Sequence, residues 1–304
     1  MESALLKVLA FVCTIAAGYV MGHTGKLGNT PGTLLSKIVF TITLPCAIIH
    51  AFGAADFTYS LLLLVPLGFA CAFGAYLVTL ALTAKSDRQP RMFYLLNSCG
   101  FNIGCFALPF VQALFSPTMA VATCLFDAGN AFMMCGGSYA LTGLFAGAER
   151  VEHPVRFVAK RLFSSMPFDT YLLIIVLAVL GVRLPSEIVQ FTEPIANANS
   201  FLAMFMLGCM MSFSVSKEKF AQVARLLSLR VVFAAAFTCL IWLALPLDAT
   251  LKAVLTLLVW GPASALAPMY TQLSGADGGL AGFANAITII LGVIAATTIA
   301  LTLA

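Results

Sequence analysis

The sequence predicts an all-α membrane protein of about ten transmembrane helices. Three observations predict this class: 61% of the 304 residues are hydrophobic, only 9% are charged, and the mean hydropathy is +1.02. Soluble domains carry about 25% charged residues, so this length reports membrane spans rather than soluble domains. The net charge of +4 is small and follows from basic loops beside the membrane, so it predicts no nucleic-acid partner.

Ten apolar windows follow one another along the chain and define the predicted spans. Turn-forming pairs such as Ser116-Pro117 and Gly278-Gly279 lie between the windows or at their edges. The first window lacks a strongly basic leader and an A-x-A cleavage site, so we interpret it as a span rather than a signal peptide. The windows are 4–21, 31–53, 60–84, 91–115, 118–145, 167–182, 189–214, 223–246, 249–273 and 278–303.

The longest connector, residues 146–166, divides the chain into a first half at 1–145 and a second half at 167–304. Each half contains five predicted spans. Because five is odd, the second half enters the membrane from the opposite side, which is typical of the inverted repeats of secondary transporters. The connector mixes Arg156 and Lys160 with apolar residues, which predicts a short amphipathic helix on the inner leaflet or simply a basic connector.

The lysines and arginines predict that both termini of this multi-pass membrane protein are external. With the amino terminus outside, Lys7, Arg183 and Lys252 are the basic residues left on the outer side. Cytoplasmic loops carry the excess of basic residues in membrane proteins. The residues assigned to the inner loops and their flanks are Lys26, Lys37, Lys85, Arg88, Arg91, Arg150, Arg156, Lys160, Arg161, Lys217, Lys219, Arg225 and Arg230.

Two apolar segments contain residues that an uninterrupted spanning helix avoids. Segment 97–115 has two asparagines, two glycines and Pro109, and segment 259–273 has Pro262 and Pro268. A broken helix at membrane depth is tolerated where protein or a water-filled cavity covers its free backbone groups. Both segments are therefore predicted to break beside one cavity, which is the usual place of a transport site.

The prolines set the expected positions of the breaks. Each proline removes a backbone donor and disfavours helix at the residue before it, which is Leu108 in the fourth span. Pro45, well inside the second span, is a further candidate helix break.

Three stretches share a pattern with a known family. They are LSKIVFTITLPCAII at 35–49, NIGCFALPF at 102–110 and GPASALAPMY at 261–270. In these stretches the chain resembles the auxin efflux carrier family, whose bacterial members include malonate-carrier-like permeases. The second stretch matches an N-x-G-x-x-x-L-P pattern and departs from the family at Ala107, where glycine is expected. The resemblance implies the ten-span fold in which broken helices, spans four and nine, cross each other. Through the bacterial members it also implies a location in the plasma membrane, as a bacterial inner-membrane protein.

The two interruptions supply the predicted substrate-binding residues. Free amides at the amino terminus of a half-helix favour an anion through the helix dipole. Asn97 is instead interpreted as the site of an interhelical hydrogen bond. The predicted substrate-binding residues are Asn102, Gly104, Pro109, Gly261, Pro262, Ser264 and Pro268.

Asp127 is the most informative single charge, because an acid about ten residues into a span costs about 2.5–3.5 kcal/mol to insert. Asn130 follows at i+3 on the same helix face. Asn285 lies 285 − 127 = 158 residues after Asp127, and Pro268 lies 268 − 109 = 159 residues after Pro109, so the halves carry polar groups at equivalent positions. Two interpretations stay open: a proton or sodium coupling site formed by Asp127, Asn130 and Asn285, or a buried acid that caps an amide of a broken helix.

No metal ion or cofactor is predicted, apart from a coupling proton or sodium ion. The nine cysteines all lie in apolar runs and form no C-x-x-C pair. The sequence has no H-E-x-x-H, no G-x-S-x-G and no P-loop. It therefore predicts neither an enzyme nor an ATP-driven pump.

The predicted function is secondary active transport of a small organic anion by alternating access. The resemblance implies a carboxylate substrate that is malonate-like, malate-like or auxin-like. One alternative is a sodium-coupled organic anion symporter of the bile acid carrier type, which shares this architecture. An alternative of another class is a membrane receptor or structural subunit that does not transport. The predicted partners are the substrate anion and the lipid bilayer, with a homodimer left open.

Overall fold

The computed structural model describes residues 2–28, 30–55, 58–147, 152–213 and 216–303. Helices are the regular elements of these ranges, as predicted, and no strand occurs in them. In chain order the helices are α1 (Glu2–His23), α2 (Pro31–Gly53), α3 (Tyr59–Leu82), α4 (Arg88–Ser98), α5 (Ile103–Leu114), α6 (Pro117–Phe145), α7 (Pro154–Leu162), α8 (Met166–Val179), α9 (Ser186–Met210), α10 (Lys217–Ala244), α11 (Ala249–Val259), α12 (Ala267–Leu273) and α13 (Gly278–Leu303).

Six of these helices, α1, α2, α3, α6, α10 and α13, are long and apolar enough to cross a membrane. The bent pairs α4 with α5 (45°) and α7 with α8 (79°) raise the number to eight if each pair is one span. Each of the ten apolar windows contains one or two helices. The all-helical, multi-pass class is therefore confirmed over the described ranges, whereas the number of ten spans and the inverted repeats stay predictions.

The connector between the predicted halves contains α7. Val158 and Leu162 on this helix are buried, whereas Arg156 and Lys160 are exposed. The expected amphipathic helix is therefore present. Residues 148–151 of the connector, including Arg150, lie outside the described residues.

Glycines bring α3 and α6 into backbone contact. A Cβ atom added at Gly68 would lie 2.0 Å from the carbonyl oxygen of Phe126, and one added at Gly129 would lie 1.8 Å from that of Val65. Small residues at helix interfaces allow such approach in membranes, where packing rather than the hydrophobic effect holds helices together. The equivalent glycines between α1 and α9 are Gly18 and Gly208.

The helix break that the sequence predicts at Pro45 is wrong, because α2 continues through this residue. A π-helical turn at Val39–Thr43 precedes the proline, and the N–H of Leu44 donates to the carbonyl of Val39, five residues earlier. Proline is disruptive in an α-helix because its ring meets the carbonyl four residues back. The wider π turn changes the hydrogen-bond register at that point, so the helix is distorted without ending.

A π turn also precedes Pro109 in α5. The π turn is Ile103–Ala107, and the N–H of Leu108 donates to the carbonyl of Ile103. Leu108 has helical dihedral angles, φ −58° and ψ −46°. The expectation that Pro109 drives the chain out of helix at Leu108 is therefore wrong, and the actual break lies earlier in this span.

Candidate functional site

The fourth and ninth predicted spans are both broken, and their breaks lie side by side. Residues 99–102 separate α4 from α5, and residues 260–266 separate α11 from α12. The N–H of Asn102 donates to the carbonyl oxygen of Pro262 at 2.9 Å. Residues 99–102 are all buried, as expected of irregular backbone at membrane depth.

A glycine permits the first break. Gly100 has φ +72°, a left-handed conformation that side chains with a Cβ atom rarely adopt. Asn97, just before the break, donates from Nδ2 to Oγ1 of Thr271 on α12 at 2.8 Å. The predicted interhelical hydrogen bond of Asn97 is thus confirmed, and it joins the first half-helix of one broken segment to the second half-helix of the other.

The guanidinium group of Arg230 lies between the two breaks. Its Nη1 donates to the carbonyl oxygens of Asn97 (3.1 Å), Ser98 (3.3 Å) and Gly100 (3.2 Å), and its Nη2 donates to that of Gly261 at 3.0 Å. Arg230 is only 9% exposed. Its assignment to the basic flank of an inner loop is therefore wrong, because α10 carries it into the protein beside the broken helices.

Asp127, on α6, lies beside the first turn of α5 and accepts hydrogen bonds from three groups. Its Oδ1 accepts from Nδ2 of Asn130 at 2.9 Å, and its Oδ2 accepts from the hydroxyl of Tyr171 at 2.8 Å. The backbone N–H of Gly104 also donates to this carboxylate. The acid thus caps the amino end of the second half-helix, where the helix dipole favours negative charge.

Asn130 joins α6 to the first break. Its Oδ1 accepts from the N–H of Phe101 at 3.1 Å, and its Nδ2 donates to the carbonyl of Phe101 at 2.9 Å. One amide side chain therefore satisfies both backbone groups of a residue that lies outside any helix. This arrangement gives Asn130 a structural part in addition to its contact with Asp127.

Asn285 lies at the second break rather than beside Asp127. Its Nδ2 is 3.4 Å from the carbonyl oxygen of Ser264. Thr288, one turn later on α13, accepts at Oγ1 from the N–H of Ala263 at 3.1 Å. The polar residues of α13 thus form hydrogen bonds with the backbone of the second break. Asn130 does the same for the first break.

A cavity of about 400 Å³ opens between the breaks, α2, α6, α8 and the end of α7. Five predicted site residues line it: Asn102, Gly104, Asp127, Asn130 and Ser264. Other predicted residues are not part of its lining: Pro45, Pro109, Gly261, Pro262, Pro268 and Asn285. The carbonyl of Gly261 instead accepts from Arg230, and that of Pro262 accepts from the N–H of Asn102. Pro268 lies in the first turn of α12.

Asn102 lines this cavity and carries a buried donor without an acceptor in the described part of the chain. Its side chain is 6% exposed, and its Nδ2 has no hydrogen-bond partner among the described residues. A buried donor left without an acceptor costs about 1–3 kcal/mol. The position therefore suits an acceptor atom that enters from the cavity.

The charged side chains that line this cavity are two bases and one acid. Lys37 and Arg161 are exposed, whereas Asp127 is partly buried. Tyr171, which also lines the cavity, was not predicted as a site residue, because a lone tyrosine in an apolar span has no distinguishing sequence signal. No group of three histidine, cysteine, aspartate or glutamate side chains in the described ranges could hold a metal ion.

The fold and this cavity define a multi-pass membrane protein with two adjoining broken helices beside a cavity that contains a few polar groups. Residues 3–148 match the model of a family described as membrane transport protein. The match confirms the resemblance to the auxin efflux carrier family, and it covers the first predicted half of the chain. The description of this family suggests a membrane transporter. No curated protein matches the chain.

Proposed function

We propose that the protein is a secondary transporter of a small organic anion and that it binds the anion in the cavity between the broken helices. The observation that carries this proposal is Asn102, which lines the cavity and has a buried Nδ2 without a hydrogen-bond partner among the described residues. A carboxylate oxygen is a strong acceptor for an amide donor. A cation would instead meet the hydrogen atoms of this group.

The charges around the cavity support an anion. Lys37 and Arg161 add positive charge to the lining. The carboxylate of Asp127 accepts hydrogen bonds from Asn130, Tyr171 and Gly104. These hydrogen bonds partly offset its negative charge before a ligand binds. The basic residues attract the anion, and Asn102 donates a hydrogen bond to it.

The size of the cavity supports a small substrate. Its volume of about 400 Å³ lies in the lower part of the range of ligand pockets, about 300–1,000 Å³. We propose a carboxylate of malonate-like or malate-like size, or a single auxin-like acid. A bulky amphipathic anion would need a different conformation.

We propose alternating access of the two predicted halves around this one site. Asn130 and Thr288 are 288 − 130 = 158 residues apart, and each hydrogen-bonds the backbone of the break in its own half. This equivalence supports the inverted repeats, the crossing of spans four and nine, and a rocking motion of one part against another. The bases Lys37 and Arg161 at the cavity mouth belong to the predicted inner side, so the described conformation is proposed to open inward.

A coupling ion at Asp127 is the second part of the proposal. The carboxylate faces the cavity and can exchange a proton with it, in addition to capping Gly104. Sodium coupling of the bile acid carrier type was expected to use Asn285 as well. Because Asn285 contacts Ser264 and is not in the cavity lining, the arrangement supports a proton more than a sodium ion.

Thermal unfolding of the purified protein against a panel of carboxylates, with and without sodium, tests the substrate class. The wild type should gain stability from at least one small carboxylate. Asn102→Ala should weaken the apparent affinity roughly 10- to 100-fold, the equivalent of a hydrogen bond to a charged group. Asn197→Ala is the matched control, because Asn197 is exposed on α9 and away from the cavity. Equal affinity in both variants would contradict the proposed site.

A further inference from the structure

We infer that Arg230 is a built-in cation of the transport centre: its guanidinium fills the carbonyl cluster between the two breaks and takes the place of a bound Na⁺ or K⁺. The cluster consists of backbone oxygens from both broken segments, at 3.0–3.3 Å from the guanidinium nitrogens. This inference rests on the geometry of the breaks and does not depend on the identity of the substrate.

The electrostatics of the cluster match one positive charge. The carbonyls of Asn97 and Ser98 belong to the last turn of α4, and Gly261 lies two residues beyond the end of α11. Each helix carboxyl end is equivalent to about −0.5 elementary charge, so the two ends together offset about one cation. No carboxylate in the described ranges lies within salt-bridge distance of Arg230, so the helix ends are the counter-charge.

The cluster also has the chemistry of an alkali-metal site. Unwound backbone carbonyls and half-helix carboxyl ends coordinate Na⁺ in secondary transporters, and rings of carbonyl oxygens coordinate K⁺ in channels. Here a side chain of the protein occupies the equivalent surroundings. The ring of Phe101 lies 5.9 Å from the guanidinium carbon and adds a cation–π contact.

A covalently held cation differs from a bound ion in one functional respect: it cannot dissociate during the cycle. The two breaks therefore stay neutralised in every conformation without an ion from solution. It follows that this cluster gives the wild type no requirement for Na⁺ or K⁺. Loss of the guanidinium should open the same oxygens to an alkali cation.

The test compares thermal unfolding in NaCl, KCl and choline chloride at equal ionic strength. Wild type should respond equally to the three salts at this cluster. Arg230→Ala should unfold at a lower Tm in choline, and Na⁺ or K⁺ should raise that Tm saturably towards the wild-type value. Arg230→Lys keeps the charge and should show no saturable response. Arg225→Ala is the control, because Arg225 is exposed on the same helix.

Two results would overturn the inference. The first is that Na⁺ or K⁺ raises the Tm of a neutral variant, Arg230→Ala or Arg230→Gln, no more than it raises the Tm of the wild type. Arg230→Gln serves as the second neutral variant if Arg230→Ala does not accumulate in membranes. The second result is failure of both neutral variants to accumulate even at high Na⁺ or K⁺, since an alkali cation should then replace the guanidinium. Neither readout requires transport, so failure here is distinguishable from failure of the proposed function.

Discussion

At the scale of single residues, the centre of the molecule contains a buried positive charge and a partly buried negative charge, each with a different counterpart. Arg230 faces backbone carbonyls at the carboxyl ends of half-helices, whereas Asp127 faces the N–H of Gly104 at the amino end of another. Each charge therefore meets the helix pole of opposite sign. This pairing stabilises breaks that would otherwise leave backbone groups unsatisfied at membrane depth.

The first prediction concerns Asp127→Asn. The variant should accumulate in the membrane but lose transport or its dependence on the coupling ion, because the titratable charge is gone. The amide also places an NH₂ group in a site where Asn130 and Gly104 donate, and a donor left without an acceptor costs about 1–3 kcal/mol. Uptake across a range of pH and sodium concentration measures the effect.

Glu187→Gln is the control for this variant, since Glu187 is exposed at the start of α9. Unchanged uptake by Asp127→Asn under all conditions would remove the coupling role. Failure of that variant alone to accumulate would leave Asp127 with its capping role.

How far sequence predicts these residues depends on whether they break a pattern. Asp127 is recognisable because an acid in the middle of an apolar span is costly and needs a reason. Arg230 is not, because a basic residue near the edge of an apolar window resembles a cytoplasmic flank. The role of Thr288 cannot be recognised from the sequence either, since hydroxyls in helices commonly form hydrogen bonds within their own helix. Only the fold brings these two to the breaks.

At the scale of elements, prolines and glycines act differently from what their sequence positions indicate. Pro45 and Pro109 each follow a π turn and leave the helix continuous. The first break contains Gly100 in a left-handed conformation, and the second contains Pro262. Sequence therefore predicts the breaks in the fourth and ninth spans, but it also predicts one in the second span that does not occur. A π turn depends on a hydrogen-bond register that no local residue type specifies.

The second prediction tests the contact between α3 and α6. Gly129→Ala should lower Tm in detergent markedly, because the new methyl would meet the backbone oxygen of Val65 and force the helices apart. Overpacking in a tight contact typically costs about 1–3 kcal/mol. Gly74→Ala on α3 is the matched control, with no atom within 4 Å of the added carbon. A similar Tm for both variants would contradict the tight contact.

At the scale of the whole molecule, two broken segments that are far apart in sequence meet through backbone and side-chain bonds. Asn102 bonds Pro262, Asn97 bonds Thr271, and Arg230 bonds both breaks. The sequence predicted that the two breaks lie together, because few polar residues are available to form hydrogen bonds with their free backbone groups. The number of spans is harder, because α9 and α11 are helices whose polarity or length does not meet the criteria for a spanning segment.

The third prediction concerns orientation. A cysteine introduced at Arg156, which is exposed on α7, should react with a membrane-impermeant reagent only after the inner side is opened. The background must lack the nine native cysteines. A cysteine at Arg183, between α8 and α9, is the opposite control and should react from outside. External labelling at 156 would reverse the predicted topology.

The most direct test of transport is counterflow in proteoliposomes. Vesicles are loaded with the unlabelled carboxylate that stabilises the protein and are diluted into a trace of the labelled compound. A transporter that alternates around one site should accumulate the label transiently, with Asn102→Ala much slower than Asn197→Ala. A protein that binds the carboxylate but shows no flux above empty vesicles would contradict the account and favour a receptor.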